Sequence, residues 1–273
     1  MIKSKIVIII PIYSLVLKGY EIKVLDNLSS LCKDYEIYFI HPQSLNLDKE
    51  ELFLSYNFKC LSFEDGYFKD IAGYNRLCLS YSFYDSFKDF DYLLIHQLDA
   101  FIFENAFEKW ISQNYDYVAP PWVGIDAFKF IRGTYENNVP ILLKAKLLAL
   151  HKSIFGHDFL VGNGGISLRK IKTFKRVLRL FASQAKSWPY NEDLFYSIHI
   201  PAHYPLFRIP SFQKALAFGF DLNPLQAFEL NGYELPMSAH GFDKPAYLSQ
   251  WQEVMERTPH LGFQAVLKSI KNE

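Results

Sequence analysis

The 273-residue chain is predicted to be an α/β protein with a single doubly wound, mainly parallel sheet flanked by helices. Three observations predict it. Short apolar runs of strand length alternate with segments of helical spacing. Four such strands separated by helices imply parallel pairing through crossovers. The fourth run is continuously apolar, as in a strand covered on both faces, and it ends in an acid at the lip where open α/β sheets bind ligands.

Each element follows from a local signal. Lys5 to Ile12 is an apolar strand. Lys18 to Leu31 carries Ile22, Leu25, Leu28 and Leu31 at helical spacing. Tyr35 to Ile40 is a short strand closed by His41-Pro42, Asp48 to Tyr56 a short helix, and Phe58 to Phe63 another strand. Gly73 to Phe90 reads as a helix and Tyr92 to Phe103 as a strand, with Gln97-Leu98-Asp99 set into it. Beyond it come a helix over Asn105 to Gln113, a short strand over Tyr115 to Val118 and a rigid Ala119-Pro120-Pro121-Trp122 turn. An irregular stretch from Gly124 to Phe159 surrounds a basic, leucine-rich helix, Ile141 to Phe155, with Lys144, Lys146 and Lys152. A glycine-rich stretch, Val161 to Lys170, then precedes a helix reaching about Ser183. No repeat or flexible linker is visible, so residues 1–273 are expected to form one domain with two halves, 1–104 and 105–273.

Composition excludes some partners. With 29 basic and 29 acidic residues the formal net charge is zero, which gives no electrostatic footprint for nucleic acid. Cys32, Cys60 and Cys78 lack CxxC spacing and suit a reducing compartment. The MIKSK start and the apolar run Ile6 to Leu17 imitate a secretory signal, but Pro11 interrupts the run and no small-residue cleavage site follows. A cytoplasmic protein is expected, with peripheral membrane contact available through 141–155. The 25 Phe and 18 Tyr mainly fill the core, and some offer flat faces on which sugars stack.

Four constellations carry chemistry. Asp99, at a strand end, is a turn former or a metal or phosphate ligand. Gly162-Asn163-Gly164-Gly165 is a tight turn or a close approach of backbone to ligand, without the P-loop ending. Asn191-Glu192-Asp193 is a helix start with favoured acids, or a general base at a cleft mouth beside Trp188 and Tyr190. His240, after a Pro-bearing loop and before Gly241, is a hydrogen-bonded histidine or a metal ligand.

The order of these pieces resembles glycosyltransferases of the GT-A fold, and among them the β-1,4-galactosyltransferase branch, over nearly the whole chain. Lys5 to Tyr13 resembles the family's first strand and Tyr74-Asn75-Arg76 its FNR motif. Gln97-Leu98-Asp99 stands at the DxD position, Gly164-Gly165-Ile166-Ser167 resembles GGVSAL, Asn191-Glu192-Asp193 resembles GEDDD, and Met237 with His240 falls on MxxH. The QxDA, GNGG, ED and HG elements are also similar to an uncharacterised glycosyltransferase-like domain family. Two positions depart from the pattern: Gln97 replaces the first DxD acid, and Trp188-Pro189-Tyr190 stands for WGWGG.

The resemblance implies a transferase acting from a nucleotide-sugar donor, bound in the 1–104 half, on a glycan or glycolipid acceptor engaged by the 105–273 half. It implies Asp193, with Glu192, as the catalytic acids. Pro11, Tyr13, Asn75, Arg76, Gln97, Asp99, Gly164 and Gly165 would bind donor, and Trp188 and Tyr190 acceptor. Asp99, His240 and Met237 would hold a divalent cation, Mn2+ in preference to Mg2+. Two other classes remain open: a nucleotidyltransferase, against which the Pro11 to Ser14 loop lacks a basic glycine-rich character, and a non-catalytic sugar-binding or scaffold protein, which Gln97 favours.

Overall fold

A computed structural model describes residues 5–125 and 160–272; the helix expected at 141–155 lies outside them. Four parallel strands, β1 (Ile6–Pro11), β2 (Glu36–Pro42), β3 (Lys59–Phe63) and β4 (Tyr92–His96), form most of one sheet. A three-residue strand, β5 (Ala100–Ile102), follows β4, and then come β6 (Tyr117–Val118) and β7 (Ile166–Lys170). The six-stranded order is β3-β2-β1-β4-β7-β6, with β7 antiparallel to both neighbours. The predicted α/β architecture is thus present, with an antiparallel edge. β5 joins β8 (Gly219–Phe220) and β9 (Ser238–His240) in a second sheet, ordered β5-β9-β8.

The sheet is covered on both faces, and its strands show it. Within β1 every residue is buried. Val7 and Ile9 pack with Leu93, Ile95, Leu77, Phe83 and Phe174, whereas Ile6, Ile8 and Ile10 pack with Leu25, Leu28 and Trp110 on the other face. This is the period of two expected of a strand. A third cluster, built on Trp251, Phe263 and Phe101, joins the C-terminal helices Pro245–Arg257 and Leu261–Lys271 to the small sheet. Because β2 and β4 flank β1, the chain reverses direction across the sheet between β1 and β4, and the crevice at their C-terminal ends is the topological switch point.

Two predicted elements are divided, and a strand is added before a third. The run from Tyr92 to Phe103 is two strands: Gln97 N–H bonds Gly165 O (2.8 Å) and Ala100 N–H bonds Gln97 O (3.0 Å), a turn that transfers the chain from one sheet to the other. The helix expected over Gly73 to Phe90 is Ile71–Cys78 followed by Tyr81–Asp85. Ser80 starts the second piece by accepting Phe83 N–H at 3.2 Å. The glycine-rich stretch leads into β7, and only then into helix Ile171–Leu180. The alternation of Ile166 and Leu168 with Ser167 and Arg169 is the strand signal. No helix among the described residues is long and apolar enough to cross a membrane.

Loss of an N-cap hydroxyl costs about 1 kcal/mol. Ser80→Ala should lower stability by that amount in urea unfolding; an unchanged midpoint would show that the break at residue 80 does not depend on the cap.

Candidate active site

A cleft of about 560 Å³ opens at the switch point. Tyr13 reaches it from the loop after β1, Gln97 from the turn after β4, Gly164 and Gly165 from the loop before β7, Asn191 to Asp193 from a helix start, and His240 from the end of β9. Residues from five parts of the sequence therefore share one cavity. Asn75 lines it too, beside Tyr74.

His240 organises one end. Antiparallel pairing of β5 with β9 sets His240 opposite Ala100, and Gly241 N–H bonds Asp99 O at 2.9 Å. The imidazole Nδ1 lies 2.9 Å from Asp221 Oδ1, while Nε2 lies 3.3 Å from both Asp99 Oδ1 and Gln97 Oε1. Asp221 Oδ2 accepts Asn163 Nδ2 (3.0 Å), and Asn163 Oδ1 accepts Gly165 N–H (2.7 Å). Burial opposes a charge on His240, but the Asp99 and Asp221 carboxylates outweigh it and push its pKa up to about 10. Burial likewise works against ionised Asp99, and His240 and Lys244 nevertheless hold it below the usual carboxylate range. His96, one residue before Gln97, is the opposite case: burial pulls it down to about 4, and its Nδ1 has no hydrogen-bond partner among the described residues.

The two glycines are explained by proximity. A Cβ on Gly165 would lie 1.9 Å from His240 Nε2 and 2.6 Å from Gln97 Oε1, and one on Gly164 would lie 2.3 Å from Glu192 Oε1. Neither glycine has a positive φ, so the loop needs them for close approach.

The other end holds the acids. Glu192 N–H is bonded by Asn75 Oδ1 (3.1 Å), and Asn75 Nδ2 donates to Asn191 Oδ1 (3.2 Å). Asn75 thus takes the capping role that the sequence suggests for Asn191. Glu192 is buried and paired with Arg169 at 2.9 Å. Asp193 lines the cleft. Burial, followed by the neighbouring Glu192 charge, pushes its pKa up to about 8, against the Leu194 N–H bond and Arg169.

Other predicted residues lie elsewhere. Arg76 lines a neighbouring cleft with Gly66, Tyr81 and Lys186, and donates to Gly66 O at 3.2 Å. Met237 is buried among Phe218, Trp110 and Ile102. Pro11 is a buried strand end. Trp188 donates Nε1–H to Asn191 O (3.0 Å) and packs on Tyr190 and Phe195, so it braces the loop that carries the acids. The sequence reading did not single out Asp221, Lys244 or Arg169 as site residues. Asp221 carries the same signal as Asp99, an acid just past a buried strand, and Arg169 is a charge at an inward position of β7.

Among the described residues no group of three His, Cys, Asp or Glu side chains is placed to hold a metal ion. The Gln97 carbonyl adds a third donor to Asp99 and to a His240 that would release its Nε2 proton on binding, and this oxygen, oxygen and nitrogen set fits a divalent cation. The hydrogen bond from His240 Nδ1 to a carboxylate is the usual support of a ligating imidazole.

The fold is similar to that of solved glycosyltransferases. The bifunctional glycosyltransferase WbbM superposes with a TM-score of 0.53 at 12% identity over 97% of this chain, which spans about half of WbbM (52%). Mouse xyloside xylosyltransferase 1 gives 0.49 at 12% identity, covering 87% of this chain and 97% of that one. The galactosyltransferase LgtC, in complex with donor and acceptor sugar analogs, gives 0.47 at 14%, covering 95% and 99%. No curated protein matches the chain. A family model described as a protein of unknown function, DUF5672, matches residues 57–240, and the chain belongs to that family.

Overpacking typically costs about 1–3 kcal/mol. Gly165→Ala should therefore destabilise the fold by that amount in denaturant titration, because the methyl would displace His240. Wild-type stability in this variant would mean that the loop does not lie against His240.

Proposed function

We propose that the protein is a glycosyltransferase that moves a sugar from a nucleotide-diphosphate sugar to a hydroxyl of a glycan or glycolipid, with inversion and with a divalent cation, Mn2+ in preference to Mg2+. The observation that supports it most is the joining, in one cleft, of Gln97 and His240 with a carboxyl whose pKa is raised, Asp193, while Asp99 stands 3.3 Å from the His240 imidazole. A bound cation would supply Lewis-acid stabilisation of the charge that develops on the departing diphosphate. Asp99, Gln97 and His240 would hold it, Asp221 fixing the imidazole. The Lys244 side chain lines the same cleft and offers its ammonium to a phosphate. Tyr13 is half exposed and packs edge-on against Phe68 and Tyr74, leaving a ring face at the rim for a nucleobase.

Asp193 is the general base. It takes the proton of the acceptor hydroxyl, the oxygen forms the new bond to the anomeric carbon, and the bond from that carbon to the diphosphate oxygen breaks on the opposite face. Inversion follows from that geometry and is supported by the β-1,4-galactosyltransferase-like order of motifs. Proton abstraction needs the ionised carboxylate, so activity should rise with pH through about 8. A non-catalytic sugar-binding role is the second reading, favoured by the uncharged Gln97 at the DxD position.

A thermal-shift screen of nucleotide sugars with and without Mn2+ should find a donor that raises the melting temperature only with the ion. Asp99→Ala should abolish that ion-dependent shift, and its persistence would remove Asp99 from the donor site. Asp193→Asn should keep the shift and lose transfer by about 100-fold to 10,000-fold; binding without any turnover in the wild type would support the non-catalytic reading. The folded pKa of Asp193 exceeds the ordinary 3.8, so the native state holds the extra proton and wild-type stability falls as pH rises from about 4 to 8. Asp193→Asn should lose this dependence and be the more stable protein at pH 8; identical pH–stability curves would contradict the raised pKa.

A further inference from the structure

Arg169 is fully buried within the core. Its guanidinium carbon stands 5.6 Å from the Tyr117 ring centre and 5.7 Å from those of Phe174 and Tyr196. Every nitrogen of the guanidinium donates. Nε donates to Ser167 Oγ, Nη1 to Tyr84 Oη and Nη2 to Glu192 Oε1, each at 2.9 Å. Tyr84 and Tyr196 in turn donate to Cys78 O, at 3.0 and 2.9 Å. Filling the core does not account for this arrangement, because apolar side chains of similar volume commonly replace a buried ion pair without loss of stability.

The consequence of the pair lies at the neighbouring residue. Glu192 is pinned twice, at its backbone N–H by Asn75 and at its carboxylate by Arg169. Asp193 follows directly, and its own carbonyl accepts Ser197 Oγ at 2.6 Å. Arg169 Nη2 also lies 3.5 Å from Gly164 O, so one guanidinium joins the glycine-rich wall of the cleft to the acidic wall. We propose that Arg169 is a positioning residue: through Glu192 it fixes the helix start from which Asp193 faces the acceptor hydroxyl, an inference that rests on Asp193 being the base. A displacement of about 1 Å at a reacting group costs roughly 100-fold in rate, so the clamp matters for turnover even where it adds nothing to stability.

Arg169→Met alone leaves Glu192 buried and unpaired and is liable not to fold, so the test is the double variant Arg169→Met/Glu192→Met, which removes both charges together. Its turnover is read with the nucleotide sugar and Mn2+ found by thermal shift, with water or a sugar as acceptor. The charged groups that act on Asp193 are Glu192, Asp221 and Arg169, of which Glu192 raises its pKa most. The double variant should therefore melt close to the wild type, keep its donor KM within about twofold, lose about 100-fold in kcat, and show its pH–rate midpoint below that of the wild type. A merely structural role would move melting temperature and KM along with kcat. Arg169→Lys, which retains the charge without the fork, should recover part of the lost kcat. Wild-type kcat in a folded double variant would overturn the positioning role while leaving the transferase reading intact. Absence of turnover by the wild type with every donor would instead remove that reading, and the positioning role with it.

Discussion

The register between β4 and β7 is the constraint from which both ends of the cleft follow. His96 pairs with Ile166 and Leu93 with Arg169, and one step beyond, Gln97 N–H meets Gly165 O. Asn163, just before this strand, holds Asp221 and through it His240; Arg169, near its end, holds Glu192. A slip of one residue would exchange the faces of β7. Arg169 would then enter the apolar cluster that now takes Ile166 and Leu168, and Leu168 would stand where the guanidinium is needed. A buried, unpaired arginine is costly enough to exclude that register, so the charge that orders the cleft also specifies the sheet.

Two carboxylates around this cleft, one lining it and one behind His240, are separated by environment. Asp99 is held ionised beside His240 and Lys244, whereas partial burial and the neighbouring Glu192 charge hold Asp193 towards its protonated form. Groups of one kind whose neighbours drive their pKa values apart are suited to different roles. On the proposed reading, the permanently charged one meets the cation and the poised one exchanges a proton.

Much of this was legible in the sequence because strands and strand ends have local signatures. Uninterrupted apolar runs marked β1 and β4, mainly apolar ones marked β2 and β3, and an acid at the end of a run marked Asp99. The glycine cluster and the Glu192-Asp193 pair were visible as motifs. What was illegible depended on direction or distance. Asn75 and Arg76 are adjacent on one helix, yet the helical turn of about 100° per residue sends Asn75 to the cleft and Arg76 to the next one. Met237 precedes a strand and its side chain enters the core, where the spacing to His240 says nothing of facing. Arg169 read as the end of a glycine-rich motif, since the aromatic groups that enclose it come from four separate stretches, around residues 84, 117, 174 and 196.

On the proposed reading, Gln97 is the departure from the DxD pattern that most affects the chemistry, and the surrounding bonds limit its effect. An amide in place of an acid keeps an oxygen donor and removes one negative charge. Asp221 lies one hydrogen bond further out, on the far nitrogen of His240. A carboxylate bonded to the distal nitrogen raises the basicity of a ligating imidazole. Asp221 can therefore return part of the missing charge to the site through the ring. The cost is rigidity, since Asp221 must be fixed for this to work, and Asn163 supplies that fixation from the glycine-rich loop. On the proposed reading, the amide at one strand end is thus matched by a buried acid just past another, β8, which the small second sheet brings beside His240.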